Sequence, residues 1–254
     1  MDTIRNFGVH PFYGFVQGHD YINKNQIKDM KELIAKPSNN INTELEQKFA
    51  SYVGCEKAVS FAAGRMGFYA LLKILDIKSG DEIVLTGATC AVMINAVIRI
   101  GATPIYADIS EETFGTSSDS VKRCLSPRTK VVVAQHSFGI PCDIKEIANI
   151  TKQKGIFLVE DCALCLGSTL DGKKVGLFGD AALFSFDHTK PINSMIGGMM
   201  CTNSELLHSK LKRIQEQSPE ISISKRKALF KRFKKPKNSR RLRLGKVIST
   251  STRI

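Results

Sequence analysis

The sequence has 254 residues, of which 43% are apolar, and a formal net charge of +13. That length and apolar content suit one large packed domain, or one domain plus an appendage, and exclude wholesale disorder and collagen-like or low-complexity sequence. No apolar run approaches the ~20 residues needed to span a bilayer, and the N-terminus lacks the apolar stretch of a secretory signal, so the expected setting is cytoplasmic.

Residues 1–40 are polar and irregular, with a helix expected around Asn25–Ile34. Asn42 or Thr43 then caps a helix with Leu45, Phe49 and Tyr52 on one face. Lys57–Phe61 is a short apolar run. Arg65–Leu75 reads as a helix with Met66, Tyr69, Leu72 and Ile74 mostly on one side. After the turn Ser79-Gly80-Asp81, Glu82–Leu85 is a strand, Ala91–Ile100 a helix ended by Gly101, and Thr103–Ala107 a strand ending at Asp108. Lys130–Ala134 is a strand. Asp143–Lys154 is a helix with Ile144, Ile147, Ala148 and Thr151 inward, broken by Gly155. Ile156–Glu160, Ala181–Phe186 and Gly198–Thr202 are further strands, and Ser204–Gln215 is a helix. This alternation predicts an α/β fold, a three-layer domain with a mostly parallel sheet flanked by helices.

The charge is unevenly placed. Residues 1–224 hold 24 Lys/Arg and 24 Asp/Glu, whereas residues 225–254 hold 13 Lys/Arg and no acid. A neutral body argues against specific nucleic-acid binding by the main domain. The basic tail has two readings: a solvated charge run, or a contact with an anionic membrane surface or a nucleic acid, with Leu229, Phe230 and Phe233 as an apolar stripe. The seven cysteines are odd in number and scattered, which suits reduced thiols. Cys162-x-x-Cys165 has no second ligand pair at suitable spacing, so no metal site is expected.

In such sheets ligands bind outside the carboxyl ends of the strands. Gly64 and Arg65 head a helix there, where free N–H groups and the helix dipole suit a phosphate. Asp161 ends the strand IFLVE; alone it could be a metal ligand, a base, a partner for a cationic ring nitrogen or a helix cap. Ser185, His188 and Lys190 follow the strand AALFSF, and Lys190 precedes the apolar, Gly-rich PINSMIGGMM. A lysine among apolar walls has a lowered pKa, and a neutral amine is what Schiff-base chemistry requires. Together these form the layout of a pyridoxal 5′-phosphate (PLP) site, with lysine to carry the coenzyme, aspartate to keep the pyridine nitrogen protonated, and serine plus helix N–H groups for the phosphate. No G-x-G-x-x-G follows a strand and no G-x-S-x-G elbow occurs, which excludes dinucleotide oxidoreductases and serine hydrolases of those types.

From about Asn42 to Ile214 the sequence resembles the large domain of the DegT/DnrJ/EryC1/StrS aminotransferases, PLP enzymes of fold type I. The resemblance is carried by VGCEKAVSFAAGRMGFYALL, SGDEIVL, NAVIRIGATPIYADI, LSPRTKVVV, HSFGIPCDI, GIFLVEDCA, GLFGDAALFSFDHTK and GGMMCTN. It implies that Lys190 binds the coenzyme aldehyde and shuttles the substrate proton, that Asp161 pairs with the pyridinium, and that Ser185 and the backbone at Gly64 and Arg65 hold the phosphate. His136 would line the cofactor pocket or, equally well, be a satisfied histidine at a strand end. His188 would orient the lysine or contact substrate. Cys90 stands where relatives often carry an aromatic residue stacked on the ring, and Leu164 where glutamine is common.

The implied activity is transfer of an amino group, by family analogy from L-glutamate, to a nucleotide-linked keto sugar in cell-surface polysaccharide or related sugar biosynthesis, by a homodimer. The alternative is a catalytically impaired paralogue that binds PLP or a partner subunit without turnover. The expected organisation is an N-terminal segment (1–40), a PLP-binding large domain (41–218) and a basic tail (219–254), with the family's small C-terminal domain largely missing.

Overall fold

The computed structural model describes residues 24–35, 40–187, 189–192, 194 and 196–233. They fall into two units, one of residues 40–218 and one joining 24–35 to 219–233.

The larger unit is built on a sheet of seven strands. In chain order its elements are α2 (Ile41–Val53), β1 (Lys57–Phe61), α3 (Gly64–Ile74), β2 (Glu82–Thr86), α4 (Ala91–Ile100), β3 (Thr103–Ala107), α5 (Ser118–Cys124), β4 (Thr129–Gln135), α6 (Ile144–Lys154), β5 (Phe157–Asp161), the short hairpin β6 (Thr169–Leu170) and β7 (Lys173–Lys174), β8 (Ala181–Ser185), β9 (Gly198–Thr202) and α7 (Glu205–Gln217). The spatial order is β1-β9-β8-β5-β4-β2-β3. Strands β8, β5, β4, β2 and β3 pair in parallel, and β9 pairs antiparallel with both β1 and β8. Strand β1 therefore runs with the parallel set, and only β9 is reversed. The α/β architecture is as expected, with the carboxyl ends of six strands on one edge.

Strand alternation divides the core between two faces. Val59, Val131, Val133, Val159 and Leu183 pack with Phe68 and Leu71 of α3, Val97 of α4 and Leu211 of α7. On the other face, Ala58, Ala182 and Phe184 meet Phe49 and Val53 of α2, while Val84, Val132 and Leu158 meet Val121 of α5 and Ile144 and Ile147 of α6. Gly101 and Gly155 close α4 and α6 in the left-handed conformation, which glycine adopts without steric cost.

Two helix faces differ from expectation. In α2 the buried stripe is Glu46, Phe49, Ala50 and Val53, while Leu45 and Tyr52 are exposed. Glu46 turns inward because four groups meet it: it accepts hydrogen bonds from the Ser60 N–H and hydroxyl, Lys212 Nζ and Gln215 Nε2, all at 2.7–2.8 Å. Burial opposes its charge, but these partners together hold its carboxyl below the ordinary range. The helix starts at Ile41 after Asn40, which makes no side-chain cap, so neither Asn42 nor Thr43 is the cap. In α3 the inward face is Gly64, Gly67, Phe68, Leu71 and Leu72, and Met66 is half exposed.

The smaller unit comprises α1 (Lys24–Ala35) and α8 (Ile223–Phe233). The first part of the basic tail, residues 223–233, is thus helical. No helix among the described residues is long and apolar enough to cross a membrane.

Five of the seven thiols are buried, both cysteines of the C-x-x-C pair among them; Cys124 is partly exposed and Cys90 exposed. Burial pushes the Cys142, Cys162 and Cys201 thiols up, and Cys165 up to about 11. A thiol-specific disulfide reagent at neutral pH is therefore expected to titrate Cys90 and Cys124 quickly, and Cys142, Cys162, Cys165 and Cys201 only on unfolding. Rapid labelling of Cys162 or Cys165 would contradict this packing.

Candidate active site

Asp161 is the last residue of β5, in register with Gln135 of β4 and Leu183 of β8. Period-two alternation places it on the same sheet face as Val159, toward α3 and α4, and places Glu160 on the opposite face. The Asp161 carboxylate is buried, and its Oδ1 accepts the Ala163 N–H at 3.0 Å. Burial pushes its pKa up; the Ala163 N–H and the charge of Lys190 act in the other direction. Lys190 is therefore within electrostatic reach of Asp161.

Lys190 lies in the excursion between β8 and β9, half-buried, and its N–H donates to the Asp187 carbonyl at 2.9 Å. The base of this excursion is closed by Phe186 N–H to Gly197 O at 2.9 Å and Ser194 N–H to Phe186 O at 3.0 Å. His188 lies outside the described residues.

The start of α3 is pressed into the same edge. Ala63 bridges Gly197, and a Cβ on Gly198 would stand 2.2 Å from the Gly64 nitrogen. A Cβ on Gly64 would stand 3.1 Å from the Phe184 carbonyl and 3.5 Å from Ser185 Cβ. Glycine at both positions is what lets the helix terminus reach Ser185, the last residue of β8. Ala63, at the N-cap, supplies no side-chain cap, so it leaves the first N–H groups of the helix available to a ligand. Arg65 follows, with its side chain exposed.

Cys90 is the N-cap of α4, beyond the end of β2, and is exposed. Beside it, the Thr89 hydroxyl is buried and has no hydrogen-bond partner among the described residues. A buried hydroxyl without a partner is costly, and a polar ligand on this edge would relieve it.

His136 differs from this group. It is fully buried; its Nδ1 accepts the Cys142 N–H at 3.0 Å, and its Nε2 lies 3.2 Å from Glu160 Oε2. With Nδ1 accepting, Nε2 carries the proton and donates to the carboxylate. No ring nitrogen is left for a ligand, so the histidine braces the strand ends from the face opposite Asp161. Glu160 also accepts N–H groups from Gly176, Phe178 and Gly179 at 2.6–2.7 Å. His136, Glu160 and Cys162 offer ligand atoms within 4.8 Å of one another, but the first two are already spent on this network.

Sequence reasoning missed Glu160, Thr89 and an aromatic pair on neighbouring loops, Phe114 and Phe138. Their rings meet edge to face at 6.4 Å, and Phe138 is 76% exposed. The Phe138 loop leans on the loop after Asp161 through Ser168 Oγ to Gly139 O at 2.7 Å.

The edge thus gathers a buried carboxylate, a half-buried lysine in the loop after β8, and an uncapped helix terminus beside a serine. These groups suit PLP: an acid for the ring nitrogen, an amine for the aldehyde and N–H donors for the phosphate.

Proteins of similar sequence and fold include named aminotransferases. A GDP-perosamine synthase of Vibrio cholerae is 35% identical over 172 residues, covering 68% of this chain and 47% of that protein. A UDP-N-acetyl-3-dehydro-alpha-D-glucosamine 3-aminotransferase of Acidithiobacillus ferrooxidans is 31% identical over 172 residues, covering 67% and 47%. The chain spans about half the length of the curated relatives it matches. Among solved structures, the aminotransferase TlmJ of Streptoalloteichus hindustanus superposes with a TM-score of 0.73 at 30% identity, over 78% of this chain and 55% of that one. An aminotransferase of Psychrobacter cryohalolentis gives 0.74 at 26% identity, over 79% and 54%. The family model for the DegT/DnrJ/EryC1/StrS aminotransferases matches residues 22–233, and the chain belongs to that family.

Proposed function

We propose that this chain binds PLP and serves amino transfer to a nucleotide-linked keto sugar, with L-glutamate as donor. The observation that carries the reading is the arrangement on one sheet edge: Asp161 ends β5, Ser185 ends β8 with Lys190 in the loop after it, and Gly64 packs against Ser185. The names of the Vibrio and Acidithiobacillus relatives support the sugar-nucleotide class. Homodimeric assembly and a cytoplasmic setting belong to the same proposal.

Bound PLP supplies an electron sink that lets a proton leave the carbon bearing the amino group. The chain's own residues do the rest. Asp161 keeps a negative charge in a dry site, where it holds a proton on the ring nitrogen facing it. The Lys190 amine, anchored on a loop closed at its base, carries the proton between substrate carbon and coenzyme. The N–H groups of Gly64 and Arg65 and the Ser185 hydroxyl hold the phosphate, and the Thr89 hydroxyl has a partner to gain.

Added PLP is expected to develop the absorbance of a lysine-bound coenzyme in the wild type and in Lys152→Ala, and to remain free in Lys190→Ala. L-Glutamate should then bleach the bound form in a single turnover. Equal spectra for wild type and Lys190→Ala would refute the site, and a stable spectrum with glutamate would leave a coenzyme-binding chain without transamination.

A further inference from the structure

We infer that the unit formed by α1 and α8 docks onto an anionic phospholipid surface. Between the two helices lies a cleft of about 420 Å³ lined by Ile34, Ile223 and Phe230, with Lys31 and Lys227. Both lysines are exposed, as is Ile223 (56%). Apolar side chains and cations thus share one surface. That is the composition of an interfacial helix, whose apolar residues enter the acyl boundary while lysines extend to the phosphates.

Charge selects the occupant. Residues 219–233 carry five Lys/Arg and one acid, Glu220, which pairs with Arg226 at 2.7 Å. Residues 234–254 add eight Lys/Arg and no acid. A second copy would bring the same charge and be repelled. A nucleic acid would meet the cations but leave Ile34, Ile223 and Phe230 without a role, since its backbone offers phosphates and sugars. An anionic bilayer meets both the cations and the apolar cleft.

The test is co-sedimentation of the full chain with vesicles of phosphatidylcholine alone and of phosphatidylcholine mixed with phosphatidylserine. Binding is expected only to the mixed vesicles, and to fall steeply as salt rises toward ~0.5 M. Each cation near the surface is worth about fivefold in partitioning, so Lys31→Gln with Lys227→Gln should weaken binding ~25-fold. Ile223→Ser, a substitution at an exposed position, should weaken it further. A far-ultraviolet circular dichroism spectrum unchanged from wild type shows that the variants keep their helices. Equal binding to neutral vesicles, no binding to either, or wild-type binding by the double variant would overturn the inference. So would binding to duplex RNA or DNA as tight as to the vesicles and indifferent to Ile223→Ser.

Discussion

Glu160→Ala is expected to destabilise the larger unit by about 3–5 kcal/mol, because it strands several buried donors at once. The carboxylate is fully buried and accepts the N–H groups of Gly176, Phe178 and Gly179 as well as His136 Nε2. It ties the loop before β8 to the ends of β4 and β5. Such a loss is a large share of the ~5–15 kcal/mol that keeps a typical domain folded. Glu160→Gln keeps one accepting oxygen but turns amide hydrogens toward N–H groups, and should fall between wild type and alanine. The readout is the urea midpoint at constant m-value; an unchanged midpoint in Glu160→Ala would remove the network from the account.

Asp161→Asn should separate stability from coenzyme binding. Burial raises the Asp161 pKa in the folded chain, so the coenzyme-free protein loses stability as pH climbs from the ordinary aspartate range through that raised value. The asparagine variant keeps an oxygen for the Ala163 N–H and lacks that loss. It should therefore match wild type at acid pH, where both side chains are neutral, and exceed it near neutrality. PLP affinity should change the other way, falling roughly 10²–10³-fold, because the cationic ring nitrogen would face a buried site with no counter-charge. Thermal unfolding across pH, with and without PLP, reads both effects. A variant no more stable than wild type at neutral pH, or one that binds PLP equally well, would contradict the role given to Asp161.

The parallel sheet was legible because β1, β2 and β4 are short apolar runs each followed by an amphipathic helix with a glycine at one end, a local pattern. The position of β9 was not, since it inserts between its neighbour β8 and β1, and the pairing with β1 joins segments far apart in sequence. Helix α5 and the β6–β7 hairpin are too short for periodicity to reveal. The α2 face was misjudged at Glu46, a charged residue that is inward only because Ser60, Lys212 and Gln215 converge on it. Likewise, nothing beside His136 in the sequence signals Glu160, 24 residues on, which binds its ring nitrogen. The strand-end positions of Asp161 and Ser185 were legible because each closes a short apolar strand.

Covalent trapping tests the central claim most directly. The full chain is incubated with PLP, reduced with borohydride, digested and mapped by mass spectrometry. A coenzyme adduct concentrated on the peptide containing Lys190, and lost when Asp161 or Lys190 is replaced, is the predicted result. An adduct spread over the surface lysines, or absent, would contradict the account.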